Sequence, residues 1–115
     1  MLEKDKKRIQ DELSKLIKDK LLTEYKDSKG KPVDSIEYVD IMDIEYDNTN
    51  QDRKKIIVKQ VLANVRLFIL FTEDSISSLN TQFKNNKPIE FMINDSTDNV
   101  ELVESDVKFI EQKLF

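Results

Sequence analysis

From Ile56 to Thr72 the chain is rich in Ile, Val, Leu and Phe, and Ile57, Val61, Ala63, Val65, Leu67, Ile69 and Phe71 share one odd-numbered phase. Alternation of this kind puts one face of a strand against a core. A helix through Val58, Val61, Leu62, Val65 and Phe68 is the rival reading, but the β-branched residues are stiff at χ1 and argue against it. Seventeen residues exceed an ordinary flat strand. The segment therefore predicts one long bent strand, or two strands broken near Ala63-Asn64. Leu67 to Phe71 is apolar on both faces, as in a strand covered on both sides or one at an interface. A strand this apolar needs neighbours, so the rest of the chain has to supply a sheet.

Residues 2–26 read as one amphipathic helix. Leu2, Ile9, Leu13 and Leu16 fall on one face at helical spacing, and Ile17, Leu21 and Tyr25 widen the stripe. Asp27-Ser28-Lys29-Gly30-Lys31-Pro32 stops it, with Gly30 as the expected C-cap. Residues 36–47 predict a half-buried strand with Met42, Ile44 and Tyr46 inward and Asp43, Glu45 and Asp47 outward. A bulge near Val39-Asp40 would reconcile the two phases of that segment. Its rival is a short helix opened by Asp34 and Glu37 in a capping-box pattern.

Residues 73–85 predict a second helix, with Ile76, Leu79 and Phe83 as its apolar stripe. Ile89–Ile93 and Val100–Val103 predict a hairpin across a polar turn. A last helix is expected after Ser105 or Asp106, carrying Val107, Ile110 and Leu114. Strands cluster instead of alternating with helices. The expected fold is therefore α+β: a long N-terminal helix packed on a mainly antiparallel sheet of four to five strands, with two shorter helices. The 115 residues make a single domain, 1–115, with the helix in 1–27 and an α+β body in 33–115.

Missing residue types remove many chemistries. The chain has no Cys and no His, so thiolate and imidazole metal sites, thiol nucleophiles and histidine acid–base catalysis are excluded. With a single glycine, Gly30, there is no Gly-rich phosphate loop. The N-terminus is dense in charge and lacks an apolar leader core. The longest apolar run has five residues, against the ~20 of a spanning helix. The expectations are a cytoplasmic protein, no membrane, no cofactor and no catalysis.

Four features compete as candidate sites. The first is an acid run: Asp34, Glu37, Asp40, Asp43, Glu45, Asp47 and Asp52 fall within nineteen residues that hold no base. Clustered carboxylates suit a hard cation or a docking face, of which Asp40, Asp43, Glu45 and Asp47 would be the acidic surface. A solvated strand face that discourages edge pairing explains the same residues, and no metal ligand is assigned. The second is Pro32-Val33-Asp34 with Asp52-Arg53-Lys54, which has the bare skeleton of a metal-dependent nuclease site. Acid-x-Lys occurs six times in this lysine-rich chain, so the match is unspecific.

Charge asymmetry is the third feature. Residues 1–31 hold 10 bases and 7 acids, net +3, while the remaining chain holds 9 bases and 16 acids, net −7. Lys4, Lys6, Lys7 and Arg8 form the best phosphate-binding patch, although acids interleave with them and no aromatic residues accompany them. The fourth is the helix itself. A 25-residue helix is about 37 Å long, and a normally packed body of the remaining residues is roughly 30 Å across, so an overhang with apolar ends is expected. Leu2, Ile9, Leu21, Leu22 and Tyr25 are then the partner-binding residues. Terminal Leu114-Phe115 is a further docking candidate.

The expected function is a non-enzymatic protein-interaction or assembly module acting through the N-terminal helix and the sheet, with another protein chain, a second copy included, as partner. The alternatives are a nucleic-acid-associated regulator using the basic helix and a metal-dependent hydrolase using strand carboxylates.

Overall fold

The computed structural model describes residues 3–26, 29–49, 52, 54–72, 74–94, 96–97, 99–103 and 106–112, with Phe71 described by its backbone alone. One helix, α1 (Glu3–Glu24), precedes six antiparallel strands: β1 (Val33–Tyr46), β2 (Lys55–Thr72), β3 (Ser75–Asn85), β4 (Ile89–Asn94), β5 (Asn99–Leu102) and β6 (Phe109–Gln112). The fold is α+β, as the clustering of strands implies, but the sheet has six strands and the two shorter helices are absent among the described residues.

β2 is the axis of the sheet. One side pairs with β1 over nearly its whole length, from Val33↔Ile69 to Tyr46↔Val58. The other side is shared end to end: β3 takes Leu62–Thr72 and β4 takes Lys55–Val58. β6 then extends β3, and β5 extends β4. The long apolar segment is thus one continuous strand, and its break in phase lies at Lys59-Gln60 instead of Ala63-Asn64. Ile56 and Val58 face the core on even positions, and Val61 through Ile69 face it on odd ones. Lys59 is the extra residue of the bulge, because Glu45 opposes Gln60 while Tyr46 opposes Val58.

Where β3 ends and β4 begins, β2 would lose its partners. Asn85 replaces them. Its Oδ1 accepts from the Val61 N–H at 2.9 Å, and its Nδ2 donates to the carbonyls of Lys59 at 3.2 Å and Lys87 at 2.7 Å. The residue is 7% exposed, so these bonds stand where water cannot substitute freely.

α1 buries Asp5, Ile9, Leu13, Ile17 and Leu21, one residue every four. It touches β1 along one flank and β5 and β6 along the other, which requires the sheet to curl around it. Two apolar clusters result. Ile9 and Leu13 pack with Val58, Val61, Ile89 and Phe91; Ile17 and Leu21 pack with Val65, Leu67 and Phe83. The helix ends at Glu24, with Tyr25 N–H donating to the Leu21 carbonyl at 3.1 Å. Gly30 is therefore no C-cap: its φ of 79° serves the turn closed by the Lys26↔Pro32 bridge.

β1 carries four register irregularities, between Val33/Ser35, Ile36/Tyr38, Ile41/Asp43 and Glu45/Tyr46. The third corrects the expected facing of Met42. Ile41 takes the inward place opposite Ala63, Met42 becomes the bulged residue and is 54% exposed, and Ile44 returns inward. Within the expected helix 73–85, Ser75–Asn85 is strand because Leu79 and Phe83, four apart, satisfy period 2 as well as period 3.6, and β2 offers an open edge to pair with. Near the C-terminus Val107 is buried, Phe109 half-buried and Ile110 54% exposed, an alternation that makes β6 a strand.

We expect Asn85→Ala to lower the unfolding free energy by about 2–4 kcal/mol, since it strands a buried N–H and a buried C=O of β2. Urea denaturation checks this through a lower midpoint at unchanged slope.

Candidate functional site

Core-facing and outward-facing residues separate cleanly on β1, β2, β3 and β6, because directly opposed residues share a face. On the face away from α1, Leu70 opposes Ile76 and Phe68 lies between Ser35 and Ser78. Arg66 lies between Tyr38 and Asn80, and Asn64 between Asp40 and Gln82. Leu62 lies between Asp43 and Lys84, with Ile110 next beyond Lys84. No other described element contacts this face closely enough to cover it: Tyr38 and Leu70 are each 37% exposed and Ile76 is 58% exposed. The polar members hold one another. Arg66 Nε is 2.9 Å from Glu37 Oε2, and Asn80 Nδ2 donates to the Tyr38 hydroxyl at 3.3 Å.

The acidic residues are spread along β1 instead of converging. Asp40, Asp43 and Glu45 are exposed, Asp47 is half-buried, and Glu45 stands 3.7 Å from Lys59. Among the described residues no group of three acids is placed to hold a metal ion. Asp34 and Asp52, the acids of the nuclease-like skeleton, sit at opposite ends of β1, roughly 40 Å apart along an extended strand. Their separation follows from the hairpin: β1 starts beside Ile69, whereas Asp52 precedes Lys55 at the other end of β2. β1 is also an edge strand, pairing with β2 alone. Its carboxylates and bulges are the usual means of discouraging a further strand.

Asp47 closes the β1–β2 turn. Its Oδ1 accepts from the Thr49 N–H at 2.8 Å and the Thr49 hydroxyl at 2.6 Å. These two bonds hold the Asp47 carboxyl below the usual aspartate range. Directly before it, at the end of β1, burial pushes the Tyr46 phenol up.

The basic patch is divided. Lys4 and Lys7 are exposed, Lys6 reaches Glu3 at 3.5 Å, and Arg8 lies 3.8 Å from the buried Asp5. Lys4, Lys7 and Arg8 share one side of the first helical turns, three and four residues apart, while Lys6 points to another, and Glu3 and Asp5 stand among them.

The expected helix contacts divide. Ile9 and Leu21 are 0% and 2% exposed within the chain's own core, so neither offers surface to another chain. Tyr25 is half-buried, edge-on to Phe83 with centroids 5.3 Å apart, and its hydroxyl donates to Glu111 Oε1 at 3.1 Å. Leu22 is 44% exposed. Leu2 and the Leu114-Phe115 terminus lie outside the described residues. The described helix does not overhang as expected: the molecule measures 50 × 32 × 23 Å, so a 22-residue helix of about 33 Å fits within its length.

Glu111 was invisible as a site residue in the sequence. It also accepts from the Thr81 hydroxyl at 3.0 Å, tying β6 to β3 beneath the end of α1. A cleft of about 560 Å³ opens beside it, lined by Lys20, Glu24, Tyr25, Lys26, Lys108 and Phe109. Lys20 and Glu24 face each other at 3.7 Å on its helix side. No described helix is long and apolar enough to cross a membrane. No protein-family model, curated protein or solved structure matches the chain.

Replacing Thr49 by Val removes the hydroxyl donor and is expected to raise the Asp47 pKa towards the ordinary aspartate value. A depressed carboxyl stabilises the fold above its unfolded pKa and loses that contribution as pH falls through the folded one. Carboxyl-carbon NMR titration of the two proteins between pH 2 and 6, about the range where aspartates titrate, reads the shift directly; unchanged Asp47 titration would contradict the assignment.

Proposed function

We propose that the protein is a non-enzymatic interaction or assembly module whose contact surface is the sheet face opposite α1. The observation that carries this reading is that face's exposed apolar set: Tyr38, Met42, Leu70, Ile76 and Ile110 stand on it, with Phe68 and Leu62 half-buried among them. The set forms two groups, Leu70 with Ile76 at one end and Met42 and Ile110 about Leu62 at the other, and large apolar side chains gathered in water on one face of a small protein are a feature of interaction sites. The composition of the face supports the same reading. Of the ten residues that β2 and β3 turn outward from Leu62 to Leu70 and from Ile76 to Lys84, two are charged, Arg66 and Lys84, in a chain that is 37% charged. Depletion of charge at the centre of a patch is the compositional mark of an interface core. Leu22, on the helix, is a separate and smaller apolar spot.

Hydroxyl-radical footprinting of trace protein in a cell extract tests the reading. We expect labelling of Tyr38, Met42 and Ile76 to fall relative to buffer, with Leu22 unchanged. Protection confined to Leu22 and its helical neighbours would move the contact to α1, and uniform labelling would contradict an interaction through either surface.

A further inference from the structure

We propose that the outer edge of β3, from Ser75 to Asn80, takes up an extended segment of another protein as an added antiparallel strand. The proposal concerns a different surface from the sheet face above and stands independently of it.

The edge is open over a defined stretch. β2 pairs with one side of β3 from Ser75 to Lys84, whereas β6 pairs with the other side only from Gln82 to Asn85. Among the described residues nothing pairs with the β6 side of Ser75–Asn80, and no described element besides β2 and β6 packs closely on β3. The direction of the backbone groups follows from one bond. Asn86 N–H donates to the Lys108 carbonyl at 2.9 Å, continuing the register of Asn85↔Phe109. In an antiparallel ladder a residue turns its N–H and C=O to the same side, and successive residues alternate. Even-numbered residues of β3 therefore turn these groups to the β6 side. Beyond the end of β6, the N–H and C=O of Ile76, Ser78 and Asn80 turn to solvent, along an edge of about 20 Å.

The other edges of this sheet are guarded, each by a recognised device. β1 carries Asp34, Glu37, Asp40, Asp43 and Glu45 and has four register irregularities. β5 and β6 are four residues each. The β3 edge has none of these protections. No charged residue and no proline falls between Ser75 and Phe83, and the register with β2 is unbroken from Leu62↔Lys84 to Leu70↔Ile76. A straight, uncharged strand edge is a template for another strand.

The occupant follows from the chemistry of the edge. A helix has already spent its backbone groups on itself, so only an extended chain offers donors and acceptors at the spacing of Ile76, Ser78 and Asn80. The sheet is antiparallel throughout, and a segment running as β6 runs leaves the edge beside the exposed Asp74. The matching segment is uncharged where it crosses Asn80 to Ile76 and basic just after. Its affinity comes from the main chain, with the terminal base fixing direction.

The test uses the full chain, isotope-labelled for amide exchange by NMR, with the peptide acetyl-Thr-Val-Thr-Val-Thr-Lys-Lys-amide as probe. With peptide about tenfold above its dissociation constant, exchange at Ile76, Ser78 and Asn80 should slow roughly tenfold. Ser77 and Leu79, which turn their N–H groups to β2, should keep their rates. Ser78→Pro deletes an outward N–H and no β2–β3 bond, and proline is tolerated on an edge. It should weaken peptide binding about tenfold, the worth of one hydrogen bond, at an unchanged urea midpoint. The same peptide N-methylated throughout should not bind, a comparison that needs no variant of the protein. No protection at millimolar peptide, or equal binding of the methylated peptide, would overturn strand addition. Protection at Asp40 and Asp43 instead would overturn the choice of edge. Protection of Ile76 and Ser78 that grows with protein concentration in the absence of peptide would overturn the assignment to another protein and give the edge to a second copy.

Discussion

Everything in this fold hangs on β2 changing which of its faces looks inward. A strand that pairs on one side with a single partner and on the other with two partners in succession must tolerate a gap between those two. The gap falls at Lys59-Gln60, where the inward phase also switches from even to odd positions. Asn85 fills it, offering both a donor and an acceptor at the place where a backbone strand would have offered them. With the switch in place, Ile56 and Val58 can share one apolar interior with Val61 through Ile69, and α1 can lie across both. The sheet then curls around α1 because its outermost strands, β1 on one flank and β5 and β6 on the other, both reach the helix.

The same switch leaves one sheet face without a cover. A single helix buries a single face, and the chain has no second helix among the described residues to place on the other. What remains there is neither the dense charge of the helix surface nor a fully apolar core, but amides, hydroxyls and a few large apolar side chains. The acids of β1 bound this face on one side and make its edge unattractive to another strand. The distribution of charge therefore works against edge-on strand pairing at β1.

The sequence made part of this legible. The length and β-branched content of Ile56–Thr72 implied the long strand, and the stripe of Ile9, Leu13 and Leu16, widened by Ile17 and Leu21, implied the helix and its buried side. The failures have physical causes. Leu79 and Phe83 fit both strand and helix periods, and the choice between them depends on a pairing partner that local pattern does not reveal. Reading 73–85 as helix removed Ile76, Asn80 and Gln82 from the sheet, so the uncovered face could not be assembled from the sequence. Met42 faces outward because it is itself the bulged residue between Ile41 and Asp43, and bulge positions are decided by the partner strand. Asn85 stood as the last residue of the expected helix 73–85, since its role exists only after β3 and β4 have met β2. The expected helix overhang assumed a spherical body, whereas an 18-residue strand draws the molecule out to 50 Å.

Native-state hydrogen exchange is the most direct measurement of whether β2 unites the two halves. If it does, the slowest amides of the β4-paired end, Ile56 and Val58, open with the same free energy as Val65 and Leu67 of the β3-paired end, and that value equals the global unfolding free energy from denaturant. Exchange of the Ile56–Val58 end through a separate opening several kcal/mol below the global value would show two independently melting halves, and would contradict the role assigned to β2 and Asn85.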